Sequence, residues 1–266
     1  GKRGQLQEAA VLLQRAVTAK LDFADAHAAL GNVYLLQRKK QEAVASFQTA
    51  IRLDPKNASA HQNLGLLHQR DNEHEAALRC FARAHRLAPE FPVALKNLTL
   101  EWIALEQFEQ ALVLLQDLYR KQPDRFEVLK CLVLVLRGMH RPEEALDYGR
   151  KARALNGTDV ELLTELGVVL RDLGRLDEEM ESFNAALALQ PDSVLALWHR
   201  SLVYLLRYDF VRGWLHYDLR LVSADLVRRP IQYPAWDGAA AAGRKILIYG
   251  EQGLGEEIMF ASCLPE

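Results

Sequence analysis

Apolar and small positions return along this chain at a fixed interval of 34 residues. Leu30 and Gly31 are followed by Tyr34, then by Ala43, Phe47, Ala50 and Pro55. One step on stand Leu64, Gly65, His68, Ala77, Phe81, Ala84 and Pro89. The next step gives Leu98, Thr99, Trp102, Ala111, Leu115, Leu118 and Pro123. No insertion or deletion breaks the register. The period predicts repeats of two antiparallel helices, each pair too one-sided to bury its apolar face alone. Stacking neighbours then makes one continuous core. Small residues such as Gly31 belong where the two helices of a repeat cross. Tyr34 and Phe47 are expected to fill the gap to the next repeat. Pro55 ends the second helix, because it lacks an N–H and its ring clashes with the preceding turn. Asn57 suits the N-cap of the helix that follows.

Residues 1–23 read as half a repeat, a second helix with Ala9, Leu13 and Ala16 in register. Its first helix is missing, so the chain is expected to be a piece of something longer. Full repeats follow at 24–57, 58–91, 92–125, 126–159 and 160–193, and a divergent last one at 194–222. Repeat four is degenerate, with Val133 at the small position, Gly149 at the large one, Gly157 in place of proline and Gly138 near a helix end. A glycine inside a helix costs roughly 0.5–1 kcal/mol relative to alanine, so this repeat is expected to be the softest. Repeat five recovers Leu166, Gly167, Phe183, Ala186 and Pro191. It carries Glu179 where earlier repeats have alanine, and the pattern gives no reason for it. Aromatics gather from repeat six onward: Trp198, Tyr208, Trp214, Tyr217, Tyr233 and Trp236. Such amphipathic side chains suit a terminal cap or an interdomain seam. The seam is preferred because the chain continues.

Residues 223–243 read as an extended linker, with Arg228-Arg229-Pro230, Tyr233-Pro234 and an Asp237-Gly238 turn. The periodicity then changes. Residues 245–249, K-I-L-I-Y, form a short apolar run expected of a buried parallel strand. Gly250, Gly253 and Gly255 make a glycine loop, and from Glu256 a helix is expected up to Pro265. Strand, glycine loop and helix open a Rossmann-like unit. The loop has neither the P-loop ending nor the full dinucleotide fingerprint. Glu251, Glu256 and Glu257 also crowd the helix N-terminus that would otherwise attract a phosphate. A carboxylate there is better suited to accept a proton from an attacking hydroxyl.

The L-G-x-x-Y, A-x-x-x-F and P positions resemble the tetratricopeptide family over residues 1–222. The resemblance implies an all-α solenoid, a right-handed superhelix of helix pairs. Its first helices would line a concave groove that holds a protein or peptide partner. In O-GlcNAc transferase relatives, asparagines at the position of Asn63 and Asn97 form a ladder along an extended peptide. A carboxamide can donate to a C=O and accept from an N–H. Here the ladder is broken by Ala29, Cys131, Glu165 and His199. The alternative is two solvated asparagines on a helix face. Gln62, Gln69, Lys96 and Lys130 complete the expected groove. Arg137, Arg171, Glu127, Glu161 and Asp172 add both signs of charge nearby, which leaves the ligand's charge open.

A second resemblance covers 214–266, through G-W-x-x-Y-x-x-R, P-x-W-x-G and the glycine loop. These look like bacterial proteins that join tetratricopeptide repeats to a heptosyltransferase-like, O-GlcNAc-transferase-like glycosyltransferase. The resemblance implies that 244–266 begin its first Rossmann-like lobe, so the fold class is an α-solenoid followed by one βα unit. Glu256 stands where the family has an aspartate thought to act as general base. A nucleotide sugar would be the donor of the parent protein, held mainly by a second lobe, with no cofactor in this stretch. The implied function is recruitment of an acceptor to that transferase, the stretch itself being inactive. The alternatives are a non-catalytic interaction scaffold or a different Rossmann-type enzyme.

Charge adds little. Lys and Arg number 33 against 35 Asp and Glu, interleaved, for a net charge of -2. Nucleic-acid binding wants a one-sided basic surface and is not expected. No apolar run approaches the ~20 residues that span a bilayer. Cys80, Cys131 and Cys263 are far apart and read as small buried hydrophobes in a reducing compartment, hence cytoplasmic. His27 and His61 share a repeat position, but ordinary packing is expected there rather than a metal site.

Overall fold

The structure, a computed structural model, describes residues 2–222. It contains thirteen α-helices and no strand among the described residues. Helix α1 (Lys2–Ala19) is the half-repeat. Repeats one to three are α2 (Ala24–Leu36) with α3 (Lys40–Leu53), α4 (Ala58–Arg70) with α5 (His74–Leu87), and α6 (Pro92–Ala104) with α7 (Phe108–Lys121). Repeats four and five are α8 (Phe126–Gly138) with α9 (Pro142–Leu155) and α10 (Val160–Asp172) with α11 (Leu176–Leu189). Helices α12 (Val194–Leu206) and α13 (Phe210–Leu215) and a 3-10 turn (Tyr217–Val222) complete the described chain. It divides after Pro191 into two compact units.

Local chemistry sets the helix ends. The Asn57 side chain accepts from the Ala60 N–H at 2.9 Å, and Asp159 accepts from the Leu162 N–H at 2.7 Å. Each satisfies one of the unpaired donors of a first helical turn. Pro92 and Pro142 open α6 and α9, where no N–H is needed. Between the helices of each repeat, one residue turns left-handed: Arg38, Asn72, Glu106, His140 and Tyr208, with Gly174 in repeat five.

The core of the first unit is built on paired sizes. A Cβ on Gly31 would lie 2.6 Å from Phe47 Cε1, one on Gly65 2.6 Å from Phe81, and one on Gly167 2.4 Å from Phe183. Each ring therefore sits on the glycine of its own repeat, not merely in the gap to the next, and all three rings are fully buried. Two of the rings also join the following repeat: Phe47 clusters with Ala60 and Leu64, and Phe81 with Leu98.

Repeat four reverses the sizes without loosening the stack. A Cβ on Gly149 would lie 2.3 Å from Leu166 Cδ2 and 3.5 Å from Val133 Cγ2. The bulk missing from α9 is supplied by α8 and by the next repeat's α10. Gly138 is the last residue of α8, and the Phe108 ring would be 2.5 Å from its Cβ. A broad buried cluster containing Leu95, Leu115, Leu129, Leu132 and Leu162 runs through repeats three to five. Each such side chain contributes about 1.5–3 kcal/mol of burial. The expected softness of repeat four thus loses its ground within the helices: Gly138 and Gly149 are packed, and only Gly157, beyond the end of α9, is exposed.

Two carboxylates occupy apolar repeat positions. Glu179 is fully buried on α11, and Arg171 of α10 meets its Oε1 at 2.6 Å. Glu101 on α6 is 1% exposed and accepts from Gln69 at 2.5 Å, with His74 Nδ1 at 2.9 Å. Pairing offsets the desolvation that would otherwise exclude a charge here.

In the second unit, α13 has only six residues before the 3-10 turn. A Cβ on Gly213 would meet Leu205 Cδ2 at 2.4 Å. Arg212 covers the Tyr204 ring at 4.5 Å, and Trp214 meets Tyr217 edge-on at 4.9 Å. Tyr208, Val211 and Leu215 are largely exposed. The expected linker at 223–243 and βα unit at 244–266, with Gly250, Gly253, Gly255 and Glu256, lie outside the described residues.

Candidate functional site

The first helices of repeats three, four and five, α6, α8 and α10, line a recess of about 200 Å³. Its apolar lining includes Pro92, Val93, Phe126, Val133, Leu134 and Leu162. Its charged lining is Lys96, Lys130, Glu127, Asp159, Glu161 and Glu165. The 34-residue register places these groups together, because equivalent first-helix positions recur on neighbouring helices.

An ion network crosses the recess. Lys130 Nζ donates to both oxygens of Asp159, at 2.9 and 3.0 Å, and to Glu161 Oε2 at 3.0 Å. Lys96 pairs with the other Glu161 oxygen. Burial opposes the charged form of Lys130, but its hydrogen bonds to Asp159 and Glu161 outweigh it and hold its pKa above the ordinary value. Burial likewise works against ionised Glu161, yet Lys96 and Lys130 win and hold its carboxyl below the usual range. Glu165 goes the other way. Burial pushes its carboxyl up, and neighbouring Arg137 pulls back only in part. Arg137 Nε lies 3.2 Å from Glu165 Oε2, but neither atom completes a hydrogen bond.

Of the groove residues expected from sequence, Lys96 and Lys130 meet in this recess. The carboxamides do not join it. Asn63 donates to Asn32 at 2.7 Å, so its contact runs back to repeat one rather than on to Asn97. Gln69 donates to Glu101. Gln62 and Asn97 are buried, 4% and 8% exposed, and neither atom of the Gln62 amide nor Asn97 Nδ2 meets a partner. Sequence reasoning passed over Phe126, Leu134, Asp159 and Leu162. The signal was present for Asp159: it caps α10 and stands 29 residues beyond Lys130.

Comparison with known proteins agrees with this architecture. Residues 39–72 match the TPR repeat family, and residues 95–212 match the family described as Psidin, N-terminal TPR repeats region. The chain is a tetratricopeptide-repeat protein. A tetratricopeptide repeat protein from Parabacteroides merdae superimposes with a TM-score of 0.70, covering 84% of this chain and 89% of that one at 18% identity. YrrB, described as a TPR protein with an unusual peptide-binding site, gives 0.51, covering 70% of this chain and 95% of that one at 21% identity. Protein FlbA of Caulobacter vibrioides is 41% identical over 56 residues, which are 20% of this chain and 9% of FlbA. The match thus spans less than a tenth of that relative.

Within the tetratricopeptide array, Cys131 also lines the recess, and burial pushes its thiol up to about 11. It is an unreactive wall at neutral pH. Among the described residues no group of His, Cys, Asp and Glu side chains is arranged to hold a metal ion. His61 Nε2 lies 3.2 Å from the Pro55 carbonyl, and burial lowers its pKa. No described helix is long and apolar enough to cross a membrane.

Proposed function

We propose that this tetratricopeptide array binds an extended segment of a protein partner along the inner face of repeats three to five. The observation that carries the reading is the recess itself. Three successive first helices converge on an apolar pocket ringed by charged groups, the usual make-up of a binding site. YrrB's description as having a peptide-binding site supports the same class of ligand. The test is peptide display on the full chain, followed by titration. Leu134→Arg in the recess should weaken selected peptides at least tenfold, about 1.4 kcal/mol. Val113→Arg on the exposed outer face of α7 should leave them unchanged. Peptides that respond only to the outer-face change would overturn the reading.

The finer reading is that the array presents an acceptor to a glycosyltransferase using a nucleotide-sugar donor. It is supported by sequence alone, through the motifs at 214–266 and the carboxylate of Glu256. The alternative is a scaffold without catalysis. Full-length gene product would be assayed for transfer from common sugar nucleotides, with Glu256→Gln as the control. Turnover abolished by that change supports the transferase, whereas undiminished turnover removes the role of Glu256. A reducing, cytoplasmic setting suits the free thiols of Cys80 and Cys131.

A further inference from the structure

We propose that the recess between α6, α8 and α10 is a subsite for a cationic side chain, a lysine or arginine presented by an apolar segment of the partner. The inference rests on the peptide-binding reading above and adds the chemistry of the anchor.

The charge balance comes first. Two lysines line the recess against four carboxylates, so it is net acidic. The lysines are also already matched. Lys130 is held by Asp159 and Glu161, and Lys96 by Glu161. An incoming carboxylate would have to displace these partners before it found a free cation. A cation can turn to Glu127, and to the Glu165 carboxylate beside Arg137, without displacing either lysine.

The second observation is Glu165. Its side chain is 23% exposed and lines the recess. Arg137 approaches its Oε2 without completing a hydrogen bond. A partly exposed carboxylate whose neighbouring cation completes no hydrogen bond gains from a donor supplied by a ligand. An ammonium or guanidinium supplies several. The third observation is the apolar lining. Phe126, Val133, Leu134 and Leu162 offer a wall for the methylene stem of lysine or arginine, whose head then reaches the carboxylates.

The experiment is methyl NMR of the full chain with four probes built on a six-carbon chain, the carboxylate carbon included: hexylammonium, hexylguanidinium, hexanoate and hexanol. The two cations should shift the Val133, Leu134 and Leu162 methyls at concentrations about fivefold lower than hexanol, about 1 kcal/mol. Hexanoate should be weaker than hexanol. Glu165→Gln should bring the cations to the level of hexanol, and Glu127→Gln gives a second, independent loss. Glu75→Gln, on α5, should change nothing.

Hexanoate binding as well as the cations, with loss in Lys130→Met, would make this an anion site and overturn the proposal. An equal response to all four probes would overturn it too, as would no methyl shift. Failure here is separable from failure of the peptide reading. Displayed peptides that lack lysine and arginine yet still depend on Leu134 would keep the groove and remove the cation subsite.

Discussion

Lys96 on α6 reaches past α8 to pair with Glu161 on α10, across a sequence separation of 65. The other oxygen of Glu161 takes Lys130 of α8 at 3.0 Å. One carboxylate therefore ties three successive first helices. The two ends are unequal. Lys96 is 41% exposed and Lys130 17%. Lys96→Ala should cost under about 1 kcal/mol, less at high salt, as for surface pairs generally. Lys130→Ala leaves two carboxylates short of donors and should cost about 1–3 kcal/mol. Urea midpoints at low and high salt measure both, and equal costs would mean that burial does not set the strength of the tie.

The recess carries opposing pH signatures. Both Glu161 and Glu165 start from an ordinary carboxyl value of 4.5. Glu161 is depressed in the folded chain, so its contribution is present above 4.5 and is lost as pH falls through the folded value. Glu165 is raised, so its contribution is present below 4.5 and is lost as pH rises through the folded value. Glu165→Gln should therefore stabilise at pH 7 and lose that advantage in acid. Glu161→Gln should destabilise at pH 7, and less so in acid. Denaturation midpoints of the three chains from about pH 2.5 to about pH 8 cover both windows and give the two slopes, and slopes of the same sign would refute the assignment.

Glu101 stands where the other repeats have Val33, Leu67, Val135, Val169 and Val203. It is held by Gln69 and His74 of the preceding repeat. Glu101→Val restores the apolar pattern and releases two partially exposed partners. Replacing a buried polar group and its hydrogen bonds by apolar packing can be nearly neutral or stabilising. His74→Ala, which keeps the buried acid and removes a partner, should instead cost about 1–3 kcal/mol. Thermal melts of the two variants should move apart.

The size reversal in repeat four is transferable. Gly65→Val alone overpacks against Phe81 and should cost about 1–3 kcal/mol. Phe81→Gly alone opens a cavity and should cost at least about 3–5 kcal/mol. Together they reproduce the pairing of Val133 with Gly149, with Leu98 standing in the register of Leu166. The double variant should then be less destabilised than the sum of the singles, by about 0.5–3 kcal/mol. Strict additivity in denaturant titrations would show that the two positions do not share one volume.

The helices were legible because their signals are local and repeated. Asn57 announced the start of α4, and Gly31, Gly65 and Gly167 marked the helix crossings. Repeat four was misjudged because Gly149 was weighed against its own helix alone. Leu166, the side chain that fills its place, belongs to the next repeat. Glu179 was opaque for a related reason: its partner, Arg171, lies on the facing helix of the same repeat. Register alone set Lys96 and Lys130 on neighbouring first helices, where both line the recess. The broken asparagine ladder gave no account of what Asn63 and Asn97 touch, since partner choice and burial are tertiary. Asn63 turns to Asn32, and Asn97 is covered.

The left-handed joint between the helices of each repeat has a practical corollary. Arg38, Glu106 and His140 hold positive φ values of 61°, 54° and 55° with side chains that disfavour them, whereas Gly174 holds 71° in repeat five without that penalty. An L-residue forced into this geometry stores about 1 kcal/mol or more. Glycine at these three corners would raise the melting temperature from the solvent-facing bends, while every residue lining the recess between α6, α8 and α10 stays untouched. The molecule's heat tolerance and the chemistry of its recess can therefore be tuned as separate dials.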